Sequence, residues 1–245
     1  MTVNEKIAAI RQQLELFELD AYIIPSTDPH MGEYVPEHWG ERAWISGFTG
    51  SAGTVVITKD FAGLWTDSRY FHQAEEQLSG TDMELMKLLI PHTPEHIDWL
   101  VNHLPSQSRV AVNGQMLPFS TVKLLHSRLA EKEIDLITLV DLVKKVWSDR
   151  PPLPKDMVID HTVEYAGRSR TEKISDVRVE MAKKNASHHL VCTLDEVAWL
   201  MNLRGTDVAF NPLFVSFVLI GQEVAILYMD KNKLPESLQL DIASA

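Results

Sequence analysis

Short apolar segments and amphipathic segments alternate through the first half of this chain, and this alternation limits the possible folds more than any other feature. Ile7, Ile10, Leu14 and Phe17 recur at helical spacing, and the apolar residues 21–25 follow. Two further apolar runs, GTVVIT and GLWTD, are separated by KDFA and predict an antiparallel hairpin. Later segments predict helices at 69–78, 97–104, 121–132 and 142–147, and strands at 85–90, 109–113 and 136–139. Such alternation indicates an α/β fold with helices on the faces of a sheet.

A proline-rich segment, SDRPPLPKD at residues 148–156, interrupts this pattern. Its three prolines exclude a helix and remove backbone donors that a sheet would need. A stiff connector has this composition. We therefore predict a first domain at residues 1–150 and a second domain at residues 157–245.

The second half repeats the order of elements that opens the first half. Each half predicts a helix, a buried strand, a segment with Ala-Trp-Ile or Ala-Trp-Leu, a glycine, and two strands that end in aspartate. Trp44 precedes Gly47 in the first half, and Trp199 precedes Gly205 in the second. A repeated order of this kind indicates a duplicated unit. The second copy is expected to be incomplete, because it lacks the further strand–helix steps that follow the first hairpin.

The charge balance disfavours two classes of partner. Asp and Glu number 34 against 23 Lys and Arg, a formal net charge of -11, which disfavours nucleic acid and anionic membranes. The apolar runs are shorter than the roughly 20 residues that span a bilayer, and the N-terminal residues are polar, unlike a signal peptide. Cys192 is the single cysteine, so no disulfide framework is expected. We expect a cytoplasmic protein that binds neither nucleic acid nor membrane.

Two familiar ligand motifs are disfavoured by their context. The glycines at 47, 50 and 53 of GFTGSAGTVVIT precede a strand and include no lysine, whereas a phosphate loop follows a strand and opens a helix. We interpret them as turn glycines. His188, His189 and Cys192 come nearest to a metal cluster, but successive residues of a strand point to opposite faces. A free buried cysteine beside two ordinary histidines is the favoured interpretation.

The segment STDPHMGEYVPEHWGE contains two prolines and predicts a long loop. Its polar side chains include Asp28, His30, Glu33, Glu37 and His38. Long loops often line functional sites, yet these residues have no defined spacing. Both a functional site and ordinary solvated side chains are compatible with this segment.

Two arginines lie beside aspartates next to predicted strands, where α/β sheets often bind ligands. For Arg204, in NLRGTDVAFNP, an ion pair with Asp207 and a contact with a ligand are both possible. Arg69, in WTDSRYF, lies in the predicted first turn of a helix, where the helix dipole disfavours a cation by about 0.3–1 kcal/mol. We expect Asp67 to bond backbone N–H groups near the N-cap. We expect Arg69 to project toward an external anion or carbonyl, the rival being an internal ion pair that buries it.

Five segments, in order along almost the whole chain, carry a resemblance to a known family: AYIIPSTDPHMGEYVP, SGFTGSAGTVVIT, LWTDSRYFHQAEEQL, VWSDRPPLP and LDEVAWLMNLRGTDVAFNPLFVSFVLI. They resemble the N-terminal and middle domains of aminopeptidase P, the Xaa-Pro aminopeptidase, in its three-domain cytosolic form. The resemblance implies two tandem creatinase N-terminal-like domains, each a mixed β-sheet flanked by helices, with the second truncated. It also implies that a C-terminal pita-bread metallopeptidase domain is absent from this chain.

The activity implied by this resemblance is hydrolysis of the bond between an N-terminal residue and a following proline. In this family the C-terminal domain binds two divalent metal ions, usually manganese, through two Asp, one His and two Glu. The resemblance therefore implies no metal ligand and no catalytic residue in this chain. The N-terminal part would shape substrate access and subunit contacts in a homodimer that acts on proline-containing peptides. A peptide- or protein-binding module of the same architecture, without metal chemistry, is the alternative.

The same resemblance implies a role for Arg69, because the arginine of the family's matching TDxRYF motif contacts substrate. Arg69 is the one substrate-binding residue expected in this chain. A guanidinium carries five donors and stays charged at any working pH, which suits a peptide carbonyl or a C-terminal carboxylate.

Overall fold

The structure, a computed structural model, describes residues 1–90 and 93–243, and for residues 240–243 it describes the backbone alone. The chain divides into two compact units. Unit 1 comprises Met1–Pro29 and Trp39–Pro151, and unit 2 comprises His30–His38 and Pro152–Ala245. The short segment His30–His38 therefore packs with unit 2, although the sequence analysis places it within the first domain.

Unit 1 alternates helices and strands. Its elements are α1 Val3–Leu16, β1 Ala21–Ile24, α2 Glu41–Ser46, β2 Thr54–Thr58, β3 Ala62–Thr66, α3 Phe71–Gln77, β4 Glu84–Lys87, α4 Glu95–His103, β5 Arg109–Val112, α5 Phe119–Ala130, β6 Asp135–Ile137 and α6 Leu142–Val146. A capping box begins α1: the Thr2 hydroxyl accepts from the Glu5 backbone N–H, and the Glu5 carboxylate accepts from the Thr2 N–H. α2 ends at Gly47, whose φ of 71° is the left-handed conformation that favours glycine.

The strands of unit 1 form a mixed sheet in the order β4-β3-β2-β1-β5-β6. β2 is antiparallel to both of its neighbours, whereas the β3–β4, β1–β5 and β5–β6 pairs are parallel. β2 and β3 form the hairpin that the sequence predicts at KDFA, with Val56 opposite Gly63. Every strand of this sheet except β2 therefore ends at the same edge, which we call the carboxyl edge.

Both faces of this sheet are buried, which explains why its inner strands are apolar at nearly every position. Side chains of β1 alternate between the faces: Tyr22 and Ile24 pack in a cluster with Ile7 of α1, whereas Ile23 packs in a cluster with Leu100 of α4. Residues of α1, α2, α3 and α6 cover the first face, and residues of α4 and α5 cover the second. The apolar runs in the sequence thus correspond to a sheet between two helical layers.

Unit 2 repeats part of this topology. Its elements are β7 Ile159–Asp160, α7 Val163–Ala166, α8 Arg170–Lys183, β8 His188–Val191, α9 Leu194–Met201, β9 Leu203–Arg204, β10 Phe217–Gly221, β11 Ala225–Tyr228 and α10 Glu236–Ala243. β11, β10 and β8 form an antiparallel sheet in that order, and β7 pairs with β9. In unit 2, α8, β8, α9 and the β10–β11 hairpin follow the same order as α1, β1, α2 and the β2–β3 hairpin in unit 1. In both units the hairpin pairs with the strand that precedes it. The predicted α/β class is confirmed.

The structure shifts the boundaries of several predicted elements. The helix predicted at 69–78 is α3, which begins at Phe71, and the strand predicted at 85–90 is β4, which ends at Lys87. The apolar run FVSFVLIG, residues 214–221, becomes a strand only from Phe217. The backbone N–H of Val215 donates to the Asp207 carboxylate at 2.6 Å, so it does not join the sheet. Among the described residues, no helix combines the length and the apolar character needed to cross a membrane.

Candidate functional site

A turn at the carboxyl edge places Arg69 directly beyond β3. The carboxylate of Asp67 accepts a hydrogen bond from the Arg69 backbone N–H at 3.1 Å. The same carboxylate accepts from Nε and Nη2 of Arg69 at 2.8 and 2.7 Å, which makes a bidentate ion pair. The Arg69 side chain is nevertheless 57% exposed, whereas that of Asp67 is 3% exposed. A buried aspartate thus anchors an arginine that remains accessible to solvent.

Arg69 precedes the helix rather than lying in its first turn. α3 begins at Phe71 after Tyr70, whose backbone N–H donates to the Asp67 carbonyl at 3.0 Å. The prediction that Arg69 lies in the first helical turn is therefore wrong, and the helix dipole argument loses most of its force. The ion pair that the sequence offered as a rival is present, but it does not bury the guanidinium.

The glycine-rich loop beside this turn is held by a buried arginine. Arg42 of α2 donates to the Phe48 carbonyl at 2.7 Å and also to the Gly50 carbonyl. Burial lowers the pKa of the Arg42 guanidinium to about 10, so the group stays charged at neutral pH. A Cβ on Gly50 would lie 2.8 Å from the ring of Tyr70, so this glycine permits close packing. The loop is a packed turn, in agreement with the interpretation of its glycines.

A cleft of about 320 Å³ opens beside Asp67, and we call it the Asp67 cleft. Its lining includes the last residues of β3, the start of β2, the segment after β4, the start of α4 and one side of α5. The side chains that line it include Trp65, Thr66, Asp67, Leu88, Thr93, Pro94, His96, Thr121 and Leu124. A cleft at the carboxyl ends of parallel strands is the usual position of a ligand site in α/β sheets.

His96 lines this cleft and is uncharged at neutral pH. Burial lowers the pKa of its imidazole to about 4, although the neighbouring Asp98 acts in the opposite direction. The ring lies edge-on to Trp65, with centroids 6.4 Å apart. At neutral pH His96 therefore presents a neutral ring to the cleft. The sequence does not single out His96, because a lone histidine in a helix carries no pattern of its own.

The polar residues of the long loop do not form one site within unit 1. Asp28 belongs to unit 1, whereas His30, Glu33, Glu37 and His38 belong to unit 2. Asp28 and His30 are buried, Glu33 and Glu37 are exposed, and His38 is half-buried. Over the described ranges 1–90 and 93–243, no group of three or more His, Cys, Asp or Glu residues is placed to hold a metal ion.

Of the two alternatives that the sequence leaves open for Arg204, the ion pair with Asp207 is not formed. Asp207 pairs instead with the buried ammonium of Lys233. Arg204 donates to the backbone carbonyls of Ala198 and Leu203, at 2.7 and 2.9 Å. The sequence could not show this, because Lys233 is 26 residues away from Asp207. Arg204 therefore joins the end of α9 to β9.

The histidines and cysteine of β8 and the following turn belong to unit 2, whereas the cleft belongs to unit 1. His188 and His189 are both exposed on β8, and Cys192 is half-buried. Burial, together with the nearby Glu196, raises the pKa of the Cys192 thiol. A raised pKa reduces the thiolate fraction, so this cysteine is not an activated nucleophile.

A buried cluster of charged residues also escaped the sequence analysis. Glu41, at the start of α2, is 1% exposed and accepts from Arg150 at 2.8 Å. Arg150 also donates to Asp141, the N-cap of α6, at 3.3 Å. Burial raises the pKa of Glu41 to about 7, and the charge of Asp141 acts in the same direction. Arg150 lies in the proline-rich connector, so its ion pairs with Glu41 and Asp141 link the connector to α2 and α6.

Comparison with known proteins identifies the family. Residues 6–148 match the creatinase/prolidase N-terminal domain, and residues 149–244 match a second family with the same description. This chain belongs to the creatinase/prolidase N-terminal domain family. The prediction of two tandem creatinase N-terminal-like domains is confirmed by these two matches.

Relatives of this creatinase/prolidase N-terminal chain are named Xaa-Pro aminopeptidases. A probable Xaa-Pro aminopeptidase P from Laccaria bicolor is 39% identical over 240 residues, which cover 96% of this chain and 37% of the relative. Xaa-Pro aminopeptidase ApepP from Drosophila melanogaster is 40% identical over 219 residues, which cover 89% of this chain and 36% of the relative. The predicted resemblance to Xaa-Pro aminopeptidases is thereby confirmed.

A solved structure shares this fold over the whole length of the chain. It is the X-prolyl aminopeptidase from Caenorhabditis elegans, described as a cytosolic enzyme with a di-nuclear active site. The TM-score is 0.94 at 31% identity, and the match covers 100% of this chain and 41% of the other. The chain therefore spans about two fifths of the length of the relatives that it matches.

Proposed function

We propose that this chain is the N-terminal part of a Xaa-Pro aminopeptidase, a metallopeptidase that hydrolyses the bond between an N-terminal residue and a following proline. The named relatives and the C. elegans structure support this proposal. The active site of that relative is di-nuclear. We place two divalent ions, which we propose to be manganese, in the part of the enzyme outside this chain. The described residues contain no group of three or more His, Cys, Asp or Glu side chains that could hold a metal ion.

Within this chain, we propose that Arg69 binds the peptide substrate. The observation that carries this proposal is the bidentate ion pair with buried Asp67, combined with the 57% exposure of the Arg69 side chain. An anchored guanidinium has already lost much of its rotational freedom, so less freedom is lost on binding. Its permanent charge and planar set of donors suit a peptide carbonyl or a C-terminal carboxylate.

We further propose that the enzyme is a cytoplasmic homodimer in which unit 1 shapes substrate access and subunit contacts. The cytosolic location of the C. elegans relative supports the proposed cytoplasmic location. The net charge of -11 supports the proposal that neither nucleic acid nor an anionic membrane is a partner. Proline-containing peptides are the proposed substrates.

The test is substitution of Arg69 by lysine in the full-length enzyme, with kcat/KM measured on an Xaa-Pro peptide. Lysine keeps the positive charge beside Asp67 but loses the bidentate fork, so we expect kcat/KM to fall about tenfold, or ~1.4 kcal/mol, with Tm and metal content nearly unchanged. Arg69→Ala is less informative, because it removes a partner of a buried carboxylate and lowers stability. Arg128→Lys is the matched control, since Arg128 is an exposed arginine paired with Asp98.

Two results would count against this assignment. If Arg69→Lys loses several degrees of Tm at unchanged kcat/KM, Arg69 is a structural residue. If the full-length protein with manganese shows no turnover of any Xaa-Pro peptide but still binds one, the chain is a peptide-binding module without metal chemistry.

A further inference from the structure

The Asp67 cleft has a volume suited to one side chain. Its volume of about 320 Å³ is at the lower end of the range of small-molecule pockets, about 300–1,000 Å³. It lies within unit 1 and shares Asp67 with the Arg69 turn. A ligand group held by the exposed guanidinium of Arg69 would therefore be adjacent to the cleft.

The charges around the cleft favour an uncharged ligand group. Among the residues that the structure describes, neither lysine nor arginine lines it. The carboxylate of Asp67 is neutralised by its bidentate ion pair with Arg69. His96 is uncharged at neutral pH, because burial holds its pKa near 4. Among the described lining residues, a phosphate or a carboxylate would find no lysine or arginine, and an ammonium would find Asp67 already paired with Arg69.

The walls of the cleft favour an apolar group. Trp65, Leu88, Pro94 and Leu124 supply apolar surface. The Thr66 hydroxyl is already engaged, because it donates to the Ala52 carbonyl at 2.7 Å. The hydroxyl of Thr93, also in the lining, donates within its own turn, to the carbonyl of residue 90 at 2.6 Å. Burial of an apolar side chain against this surface would leave these two hydrogen bonds intact.

Aromatic rings pack around Trp65, which is part of the apolar wall of the cleft. Trp65 packs edge-to-face on Phe61 and on Trp99, with ring centroids 6.0 and 5.6 Å apart, and His96 meets Trp65 at 6.4 Å. An entering ring would extend this cluster, and aromatic pairs at about 4.5–7 Å are more favourable than their buried area alone explains. A rigid ring also loses less freedom on binding than a long flexible side chain does.

We propose that the Asp67 cleft binds an aromatic side chain of the peptide whose carbonyl or carboxylate is bound by Arg69. The identity of the ligand as a peptide rests on the proposed function of Arg69. The preference for a large uncharged ring rests on the cleft alone. The site therefore favours peptides that carry phenylalanine or tyrosine at the position beside the group bound by Arg69.

The test is a titration of the 245-residue chain with N-acetyl-L-phenylalaninamide, followed by NMR of the His96 ring and of the Trp65 indole. This compound has the aromatic side chain and no charge, and for its size a Kd of about 1 mM is expected. Leu124→Trp should fill the cleft and weaken binding about fivefold or more, since Leu124 is on its wall and partly exposed. Leu139→Trp is the matched control, because Leu139 is 98% exposed and lies outside the cleft lining. N-acetylglycinamide should bind more weakly than the phenylalanine compound.

The proposal is overturned if no saturable shift occurs at His96 or Trp65, or if Leu124→Trp and Leu139→Trp behave alike while both keep the wild-type circular dichroism. A second titration with N-acetyl-L-phenylalanine, which carries a free carboxylate, tests Arg69 separately. Tighter binding of the acid than of the amide, lost in Arg69→Gln, supports both sites. Equal binding of acid and amide at the cleft overturns carboxylate binding by Arg69 and leaves the aromatic site supported.

Discussion

Replacement of Glu41 by glutamine is expected to change how stability depends on pH. Glu41 is buried between the start of α2 and the connector, and Arg150 donates to it at 2.8 Å. Glutamine has the same shape and keeps an oxygen that can accept from Arg150, but it never ionises. The variant therefore isolates the cost of a buried negative charge from the packing of the side chain.

The direction and size of the change in stability with pH follow from the pKa of Glu41. This pKa is raised from 4.5 to about 7, mainly by burial and in addition by the charge of Asp141. Between these values the folded chain keeps a proton that the unfolded chain releases, so the free energy of unfolding falls as pH rises. At about 1.4 kcal/mol for each pH unit, the full loss is on the order of 3 kcal/mol. Because glutamine does not ionise, the Glu41→Gln variant does not lose this stability as pH rises. We expect Glu41→Gln to match the wild type near pH 4.5 and to exceed its stability at pH 8.

Urea unfolding at four pH values from 5 to 8, followed by tryptophan fluorescence, measures this difference. All tryptophans except Trp199 lie in unit 1, so the signal reports chiefly on the unit that contains Glu41. Glu84→Gln is the control. Glu84 is exposed on β4, so this change removes a solvent-exposed carboxylate and leaves every buried carboxylate in place. A Glu41→Gln variant that is less stable than the wild type at pH 8 would refute the reasoning. It would mean that attraction to Arg150 outweighs the cost of burial.

Two further predictions concern unit 2 and the whole chain. Lys233→Met should destabilise unit 2 by about 3–5 kcal/mol, because it leaves the Asp207 carboxylate buried without its cation; Lys231→Met is the control, and equal Tm values for the two variants would contradict this. The 245-residue chain, incubated with manganese and an Xaa-Pro peptide, should show no hydrolysis above a metal-only blank, and sustained turnover would contradict the proposed location of the metal site.

The sheet of unit 1 could be predicted from the sequence because its elements are local patterns. The apolar residues of α1 recur at helical spacing, and each strand of the β2–β3 hairpin is a short apolar run bounded by turn residues. The boundary at Arg69 was misplaced for a physical reason. Asp67 closes a turn with Tyr70 before the helix begins, and this turn has the same residue types as a helical first turn.

The charged clusters could not be predicted, because their partners are distant in sequence. Glu41 and Arg150 are 109 positions apart, and Asp207 and Lys233 are 26 positions apart. The local sequence offers the nearer Arg204 as one possible partner of Asp207, and it gives no reason to select Glu41. The Asp67 cleft was missed for the same reason, since its lining comes from five separate stretches of unit 1. Only the fold brings these stretches together.

The ion pair at the carboxyl edge stabilises the turn and also holds the guanidinium that we propose to bind peptide. Asp67 is buried, so a cation at position 69 is favourable for folding whether or not a ligand binds. The presence of arginine alone is therefore weak evidence of a binding site. The exposure of the guanidinium is a further requirement for binding, because a buried cation could not reach a ligand. Lysine at position 69 separates the two roles, since it keeps the charge that folding requires and removes the planar fork that a peptide carboxylate or carbonyl would use.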